Sequence, residues 1–315
     1  MSSGELIAFR DATVFVREVG EGPALLLING LGAHTEMWGP LERALTGFRL
    51  VEFDLPGAGR SPAPRTPVRM RRLARLCVAI MDRFGMERPD VLGYSMGGMV
   101  AQQLVADAPG RVRRVVLIAT TPGVGSVQAD PRALLNVITP LRYASSHLYA
   151  KSLASLVGGR ARTDVEWIVE QTQLRFRHRP SWRGYLSQLN SMAGWSSLPL
   201  LPHVRHPTLV LSGGDDPLAP VVNGMIIAHL LTQGRLLVLD GEGHLMALDE
   251  RSGAHPAIRE FVSADDVCAT QVWSRARVID ADALRGALSS VGPQLPPLSL
   301  IDALARRRWL YARPT

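Results

Sequence analysis

The sequence predicts an α/β fold: a mostly parallel central sheet with helices on both faces and an inserted helical cap. Three observations predict it. Ala24–Ile28, Leu50–Phe53 and Val115–Ala119 are short, continuous apolar runs, the pattern of strands buried on both faces. Helical stretches alternate with such runs, which is the rhythm of a parallel sheet. Residues 121–206 interrupt that rhythm over a length too great for a simple crossover connection.

In chain order, Leu6–Phe9 and Thr13–Arg17 read as a short antiparallel pair. Ala24–Ile28 follows and ends in the turn Asn29-Gly30-Leu31-Gly32. Leu50–Phe53 ends at Asp54, and Asp54-Leu55-Pro56-Gly57-Ala58-Gly59-Arg60-Ser61 is a tight loop set by its glycines and proline. Arg69–Phe84 reads as a helix stopped by Gly85. Asp90–Leu92 is a third buried strand, Met96–Asp107 a helix stopped by Pro109-Gly110, and Val115–Ala119 the fourth strand. The inserted segment carries helical patterns at Pro131–Leu141, Ser146–Leu156, Asp164–Phe176 and Trp182–Met192. Thr208–Leu211, a helix over Val222–Leu231 and Leu236–Leu239 resume the alternation. The expected organisation is a core of residues 1–120 and 207–262, a helical cap over 121–206 and a C-terminal extension over 263–315 of unassigned role. Within the extension, Gly292-Pro293-Gln294-Leu295-Pro296-Pro297 reads as a linker between two short helices.

With 315 residues and 46% hydrophobic content, the chain is long enough to bury a sizeable core and has the composition of a globular protein. Its net charge of +7 comes almost wholly from arginine, Lys151 being the one lysine. A basic balance raises nucleic acid, an anionic surface or an acidic substrate as partners. No nucleic-acid motif and no aromatic-basic interleaving accompany it, so no nucleic-acid partner is expected. Cys77 and Cys268 form neither a disulfide framework nor a zinc spacing, and cysteine-poor usage fits a cytoplasmic location. No secretory signal stands at Met1–Glu5, and no apolar run has the length of a membrane span.

The strongest chemical motif is Gly93-Tyr94-Ser95-Met96-Gly97, between a buried strand and a helix. A nucleophilic serine must project from a sharp turn, and glycines on either side remove the Cβ atoms that would clash there. The helix that follows aims its first amides at the reaction centre, so the Met96 amide can donate to a developing oxyanion. A second donor would be the Leu31 amide, in a loop that Asn29 can brace. A glycine-rich turn without catalysis is the bland alternative for both segments.

A serine hydroxyl needs a base to take its proton and an acid to orient that base. His244, in Asp240-Gly241-Glu242-Gly243-His244, follows the last predicted strand, and none of His34, His147, His178, His203, His206, His229 or His255 follows one so closely. Asp215 and Asp216 follow the strand at Thr208 and compete for the acid role. Both positions lie at carboxyl ends of strands, the edge along which α/β sheets form their sites.

These segments together resemble the α/β-hydrolase superfamily, and within it the intracellular medium-chain-length polyhydroxyalkanoate depolymerase group. The resemblance runs over roughly residues 5–262 and is carried by Asn29-Gly30-Leu31-Gly32-Ala33, Gly93-Tyr94-Ser95-Met96-Gly97-Gly98, Pro207-Thr208-Leu209-Val210-Leu211, Gly214-Asp215-Asp216-Pro217-Leu218 and Gly243-His244-Leu245. Met96 departs from the tryptophan that group tends to carry, and the tail beyond Ser263 has no counterpart in it. The resemblance implies the α/β-hydrolase fold and a Ser95–Asp216–His244 triad, in the superfamily's chain order. Asp216 is preferred to Asp215 because it precedes Pro220 by four residues.

The implied activity is hydrolysis of a carboxylic ester through an acyl-enzyme on Ser95, with Leu31 and Met96 as oxyanion donors and no cofactor or metal. The substrate would be a hydroxyalkanoate polymer or oligomer, or a medium-chain acyl ester. Thioesterase, lactonase and cofactor-free haloperoxidase-like chemistry would use the same triad, and a hydrolase-fold ligand-binding protein is the reading from another class. Serine at position 95 disfavours haloalkane dehalogenase and epoxide hydrolase, which use an aspartate nucleophile.

An apolar cap bearing Trp167, Trp182, Tyr185 and Trp195 would suit a medium-chain or aromatic group, although plain helix packing explains most such residues. The basic run Arg65, Arg69, Arg71, Arg72 and Arg75 reads as a solvated helix face. Granule, membrane or acyl-carrier contact is the sharper alternative for that run, whereas Leu300–Tyr311 can lie at an interface such as a granule or membrane or equally pack on the body or stay loose.

Overall fold

In the computed structural model, which describes residues 4–10 and 12–291, the apolar runs of the sequence lie side by side as strands. These are β1 (Glu5–Ala8), β2 (Thr13–Val19), β3 (Ala24–Ile28), β4 (Arg49–Phe53), β5 (Asp90–Tyr94), β6 (Val115–Ile118), β7 (Thr208–Gly213) and β8 (Gly234–Leu239). They form one sheet in the order β1-β2-β4-β3-β5-β6-β7-β8. The first two strands pair antiparallel, and every pair from β4 to β8 is parallel.

The continuous apolar runs follow from coverage of both faces. Leu26 and Ile28 point into one cluster with Val51, Phe53 and Val91, while Leu25 and Leu27 point into the other with Leu50 and Leu92. Alternate residues of a strand face opposite ways, so a strand with two cores leaves no position for a solvated side chain.

Helices α1 (Gly39–Ala44), α2 (Met70–Arg83) and α3 (Met96–Asp107) connect the first strands. On α2, Leu73, Ala74, Cys77 and Ile80 are buried whereas Arg71 and Arg75 are exposed, an amphipathic division of faces, and Arg65 and Arg69, which precede the helix, are exposed as well. Between β6 and β7 stand α4 (Pro131–Ile138), α5 (Ser146–Val157), α6 (Val165–Arg177) and α7 (Trp182–Met192). Each starts at a side-chain cap: Asp130, Ser145, Asp164 and Ser181 accept from amides of the first turn. Such a cap contributes ~1 kcal/mol. The expected helix over 131–141 stops at Ile138, because Pro140 holds Thr139 extended (φ −121°, ψ 145°) and a separate 3-10 turn, Pro140–Ala144, follows.

After β7 come α8 (Val221–Leu230), α9 (Ala254–Ser263), α10 (Gln271–Arg275) and α11 (Ala281–Ser290). Over residues 263–291 the C-terminal extension packs on the core. Trp273 stacks on Phe261 with ring centroids 5.6 Å apart, and Leu284 and Leu288 join the cluster that holds α8. Arg277 makes an antiparallel bridge to Leu236 of β8, which protects that edge strand. The expected linker at Gly292–Pro297 and the segment Leu300–Tyr311 lie outside the described residues. No helix among the described residues is long and apolar enough to cross a membrane.

Candidate active site

Ser95 sits between β5 and α3 at φ +53°, ψ −119°, a conformation an L-residue seldom holds. Two features impose it. The Ser95 amide donates to the Ile118 carbonyl at 2.8 Å, and the Thr120 hydroxyl donates to the Ser95 carbonyl at 2.7 Å. The flanking glycines let the chain turn this sharply: a Cβ on Gly97 would fall on the Ile28 carbonyl oxygen, and one on Gly93 would meet the Gly97 carbonyl oxygen. Strain of this kind is held in place by surrounding structure and is typical of functional positions.

The structure brings Ser95, Asp216 and His244 together. His244 Nε2 lies 3.0 Å from Ser95 Oγ. His244 Nδ1 lies 2.9 Å from Asp216 Oδ2 and 3.1 Å from Oδ1. Asp216 Oδ1 also accepts from the amides of Leu218 and Ala219 at 2.8 and 2.9 Å. The carboxylate is therefore held fixed where it orients the imidazole. Asp216 is buried, whereas Asp215 is exposed and uses its amide on the Glu242 carbonyl. Of the two competing aspartates, only Asp216 meets the histidine.

Asn29 braces the loop after β3. Its Oδ1 accepts from the Gly30 amide at 2.8 Å, and its Nδ2 donates to the His34 carbonyl at 3.0 Å. Gln188 of α7 holds the same loop from the other side, accepting from the Gly32 amide at 2.8 Å. Leu31 and Met96 both line the cavity beside Ser95. The Met96 amide, first in α3, has no intrahelical acceptor, so it is free for an anion at the helix N-terminus. The Asp54 loop is structural: Asp54 accepts from the amides of Thr35 (2.6 Å) and Arg60 (2.8 Å), and burial pushes its carboxyl up to about 6.

The cavity has a volume of about 410 Å³. Ser95, Met96, Leu31 and His244 face it from the core, and Leu134, Val137, Leu153, Leu156 and Met192 from the inserted helices. Trp167, Trp182, Tyr185 and Trp195 do not line it. Trp167 and Tyr185 are packed in the core, Trp182 is exposed, and Trp195 donates to Gln103 at 2.7 Å. The sequence reading missed two charged lining residues, Arg142 and Arg175. Arg175 had a signal: it falls on the stripe of α6 that also buries Ile168, Gln171 and Thr172. Arg142 lies in the 3-10 turn, where no periodicity exists to mark it. Among the described residues, no group of His, Cys, Asp and Glu could hold a metal ion.

The sequence matches a family described as alpha/beta hydrolase fold over residues 23–251. A poly(3-hydroxyalkanoate) depolymerase of Ectopseudomonas oleovorans is 34% identical over 247 residues, covering 76% of this chain and 84% of that protein. A pimeloyl-[acyl-carrier protein] methyl ester esterase of Nitrosomonas europaea is 37% identical over 257 residues, covering 74% of this chain and 93% of that protein. Among solved structures, the enol-lactonase from Burkholderia xenovorans LB400 superposes with a TM-score of 0.71 at 26% identity, covering 82% of this chain and 100% of that one.

Proposed function

The chain belongs to the α/β-hydrolase family, and we propose that this hydrolase cleaves a carboxylic ester through an acyl-enzyme on Ser95. The observation that carries the reading is the continuous hydrogen-bonded line from Ser95 Oγ through both ring nitrogens of His244 to Asp216. In the proposed sequence, Ser95 Oγ attacks the ester carbonyl carbon and its proton passes to His244 Nε2. The Leu31 and Met96 amides hold the carbonyl oxygen as it becomes an oxyanion. Collapse breaks the bond to the alcohol oxygen, which leaves with the proton from His244. Water then attacks the acyl-enzyme, gives its proton to His244, and releases the acid while Ser95 regains its hydroxyl. Asp216 holds the Nδ1–H tautomer throughout and stabilises the imidazolium.

An aliphatic acyl chain suits the apolar wall of the cavity, and a hydroxyalkanoate oligomer or medium-chain acyl ester is the substrate class we favour. The likeness to the depolymerase supports the first of these. The test is initial-rate hydrolysis of nitrophenyl esters of increasing chain length, wild type beside Ser95→Ala, followed by hydroxyalkanoate oligomers. Activity that peaks at medium chains and disappears in Ser95→Ala is expected. Equal rates from the two proteins on every ester would overturn the proposal.

A further inference from the structure

The cavity that holds Ser95 also holds two guanidinium groups that no acid among the described residues neutralises. Arg142 and Arg175 line it, at only 9% and 4% exposure. Their donors go to neutral acceptors: Arg142 Nη2 to the Tyr185 hydroxyl at 2.9 Å, and Arg175 Nη1 to the Leu31 carbonyl at 3.3 Å. The Nε atom of each is buried without a hydrogen-bond partner. The rings of Tyr143, Tyr149 and Tyr185 surround the Arg142 guanidinium with centroids at 5.1, 5.8 and 5.4 Å. Among the described residues neither arginine makes an ion pair, and the two acids of α6, Glu166 and Glu170, are exposed at the surface. Asp216 holds His244, and Glu36 pairs with Arg60, Arg177 and His178.

Two like charges in an apolar enclosure repel each other and lose hydration, and aromatic faces return only part of that loss. Packing alone would be served better by apolar side chains of similar volume. The arrangement is what a site looks like when its counter-ion arrives with the ligand. A planar guanidinium matches a carboxylate, and two of them beside an aliphatic wall fit a flat monoanion on a short alkyl chain. We propose that Arg142 and Arg175 form a carboxylate subsite in the Ser95 cavity, so that the ester cleaved here bears a free carboxylate. A hydroxy-acid oligomer with an open acid end and the half-ester of an aliphatic diacid share that chemistry. The inference rests on the ester-hydrolase reading for its reaction and on the two arginines for its specificity.

The test compares mono-4-nitrophenyl suberate with its methyl-capped diester in wild type, Arg142→Gln, Arg175→Gln and Arg142→Lys. What is read is the ratio of kcat/KM for the two substrates within each protein, so any general loss of activity cancels. The free acid is expected to lead tenfold or more in wild type, chiefly through KM. The ratio should fall to within twofold of unity in either glutamine variant and recover in part with lysine. Chain-end hydroxy-acid dimers, free and methylated, then distinguish the oligomer from the diacid half-ester. A second measurement uses Ser95→Ala: calorimetric binding of suberate, with 1,8-octanediol as the uncharged control. Neutral esters cleaved by a wild type that shows no preference for the acid would overturn the subsite and leave the esterase standing. Suberate bound and octanediol refused, with no ester cleaved, would support the subsite and overturn the esterase. Neither binding nor cleavage would overturn both.

Discussion

The backbone amide of His244 donates to the carbonyl of Val157 at 2.6 Å. Val157 is the last residue of α5, so the inserted helices fasten the loop that carries His244, the proposed base. Gly243 permits the approach, since a Cβ there would fall on the Val157 carbonyl oxygen. Gly243→Ala should therefore push the loop away and lengthen the 3.0 Å separation of His244 Nε2 from Ser95 Oγ. A misplacement of ~1 Å at a reacting group costs on the order of a hundredfold in rate. The expected result is that loss in kcat on a nitrophenyl ester with an unchanged far-ultraviolet dichroism spectrum. Wild-type kcat would show that the contact does not position the histidine.

Asp216→Asn separates the orienting role of the carboxylate from its place in the turn. The amide oxygen can still accept from Leu218 and Ala219, so the loop should persist. Its NH2 group, however, would face His244 Nδ1 and favour the tautomer with the proton on Nε2, which cannot receive one from Ser95. A fall in kcat on the order of 10⁴ is expected, with KM little changed. A loss below about tenfold would remove Asp216 from the proposed mechanism.

Much of this was legible in the sequence because its grammar is local. Ser95, Asp216 and His244 each stand within a few residues of an apolar run, and strand ends in a parallel sheet share one edge. Gly93 and Gly97 announced the turn because no other residue fits it. What stayed hidden depends on contacts between distant segments. Leu284 and Leu288 pack with α8, a docking that nothing in their own neighbourhood specifies. Arg142 is drawn into the cavity wall by Tyr185, 43 residues away. Read with helical periodicity, Arg175 would have stood out as a cation on a buried stripe, but its composition alone places it with the many surface arginines.

Glu52 gives a stability prediction far from the cavity. Its side chain is fully buried in β4 and accepts from Arg17 Nε at 2.8 Å. Arg17→Met would leave that carboxyl buried without its cation, at a cost of about 3–5 kcal/mol. Burial, reinforced by Glu42, holds the Glu52 carboxyl well above the usual range, so protonation relieves part of the cost as pH falls. Urea denaturation should show the deficit at pH 7 shrinking at pH 5, and Arg17→Met/Glu52→Leu recovering most of it. A deficit under about 1 kcal/mol at pH 7 would mean the pair is dispensable.

His34 sets part of the acid limit of stability. Its Nε2 donates to the Leu174 carbonyl at 3.0 Å, and burial with the nearby Arg175 charge pushes its pKa from 6.5 down to about 3. His178 also disfavours the imidazolium, while Glu36 favours it. The unfolded chain takes up this proton below about 6.5 and the folded protein does not until about 3, so stability present above 6.5 is lost across that window. The slope from one such group reaches ~1.4 kcal/mol per pH unit. Asp54 acts in the opposite sense: raised from 3.8 to about 6, it takes up its proton in the folded protein first and offsets part of the loss between those values. His34→Gln keeps a donor for Leu174 and has nothing to protonate. Urea midpoints at pH 7, 6, 5 and 4 should therefore fall less steeply in His34→Gln than in wild type. Parallel curves would show that the folded protein accepts the proton on His34 as readily as the unfolded chain does.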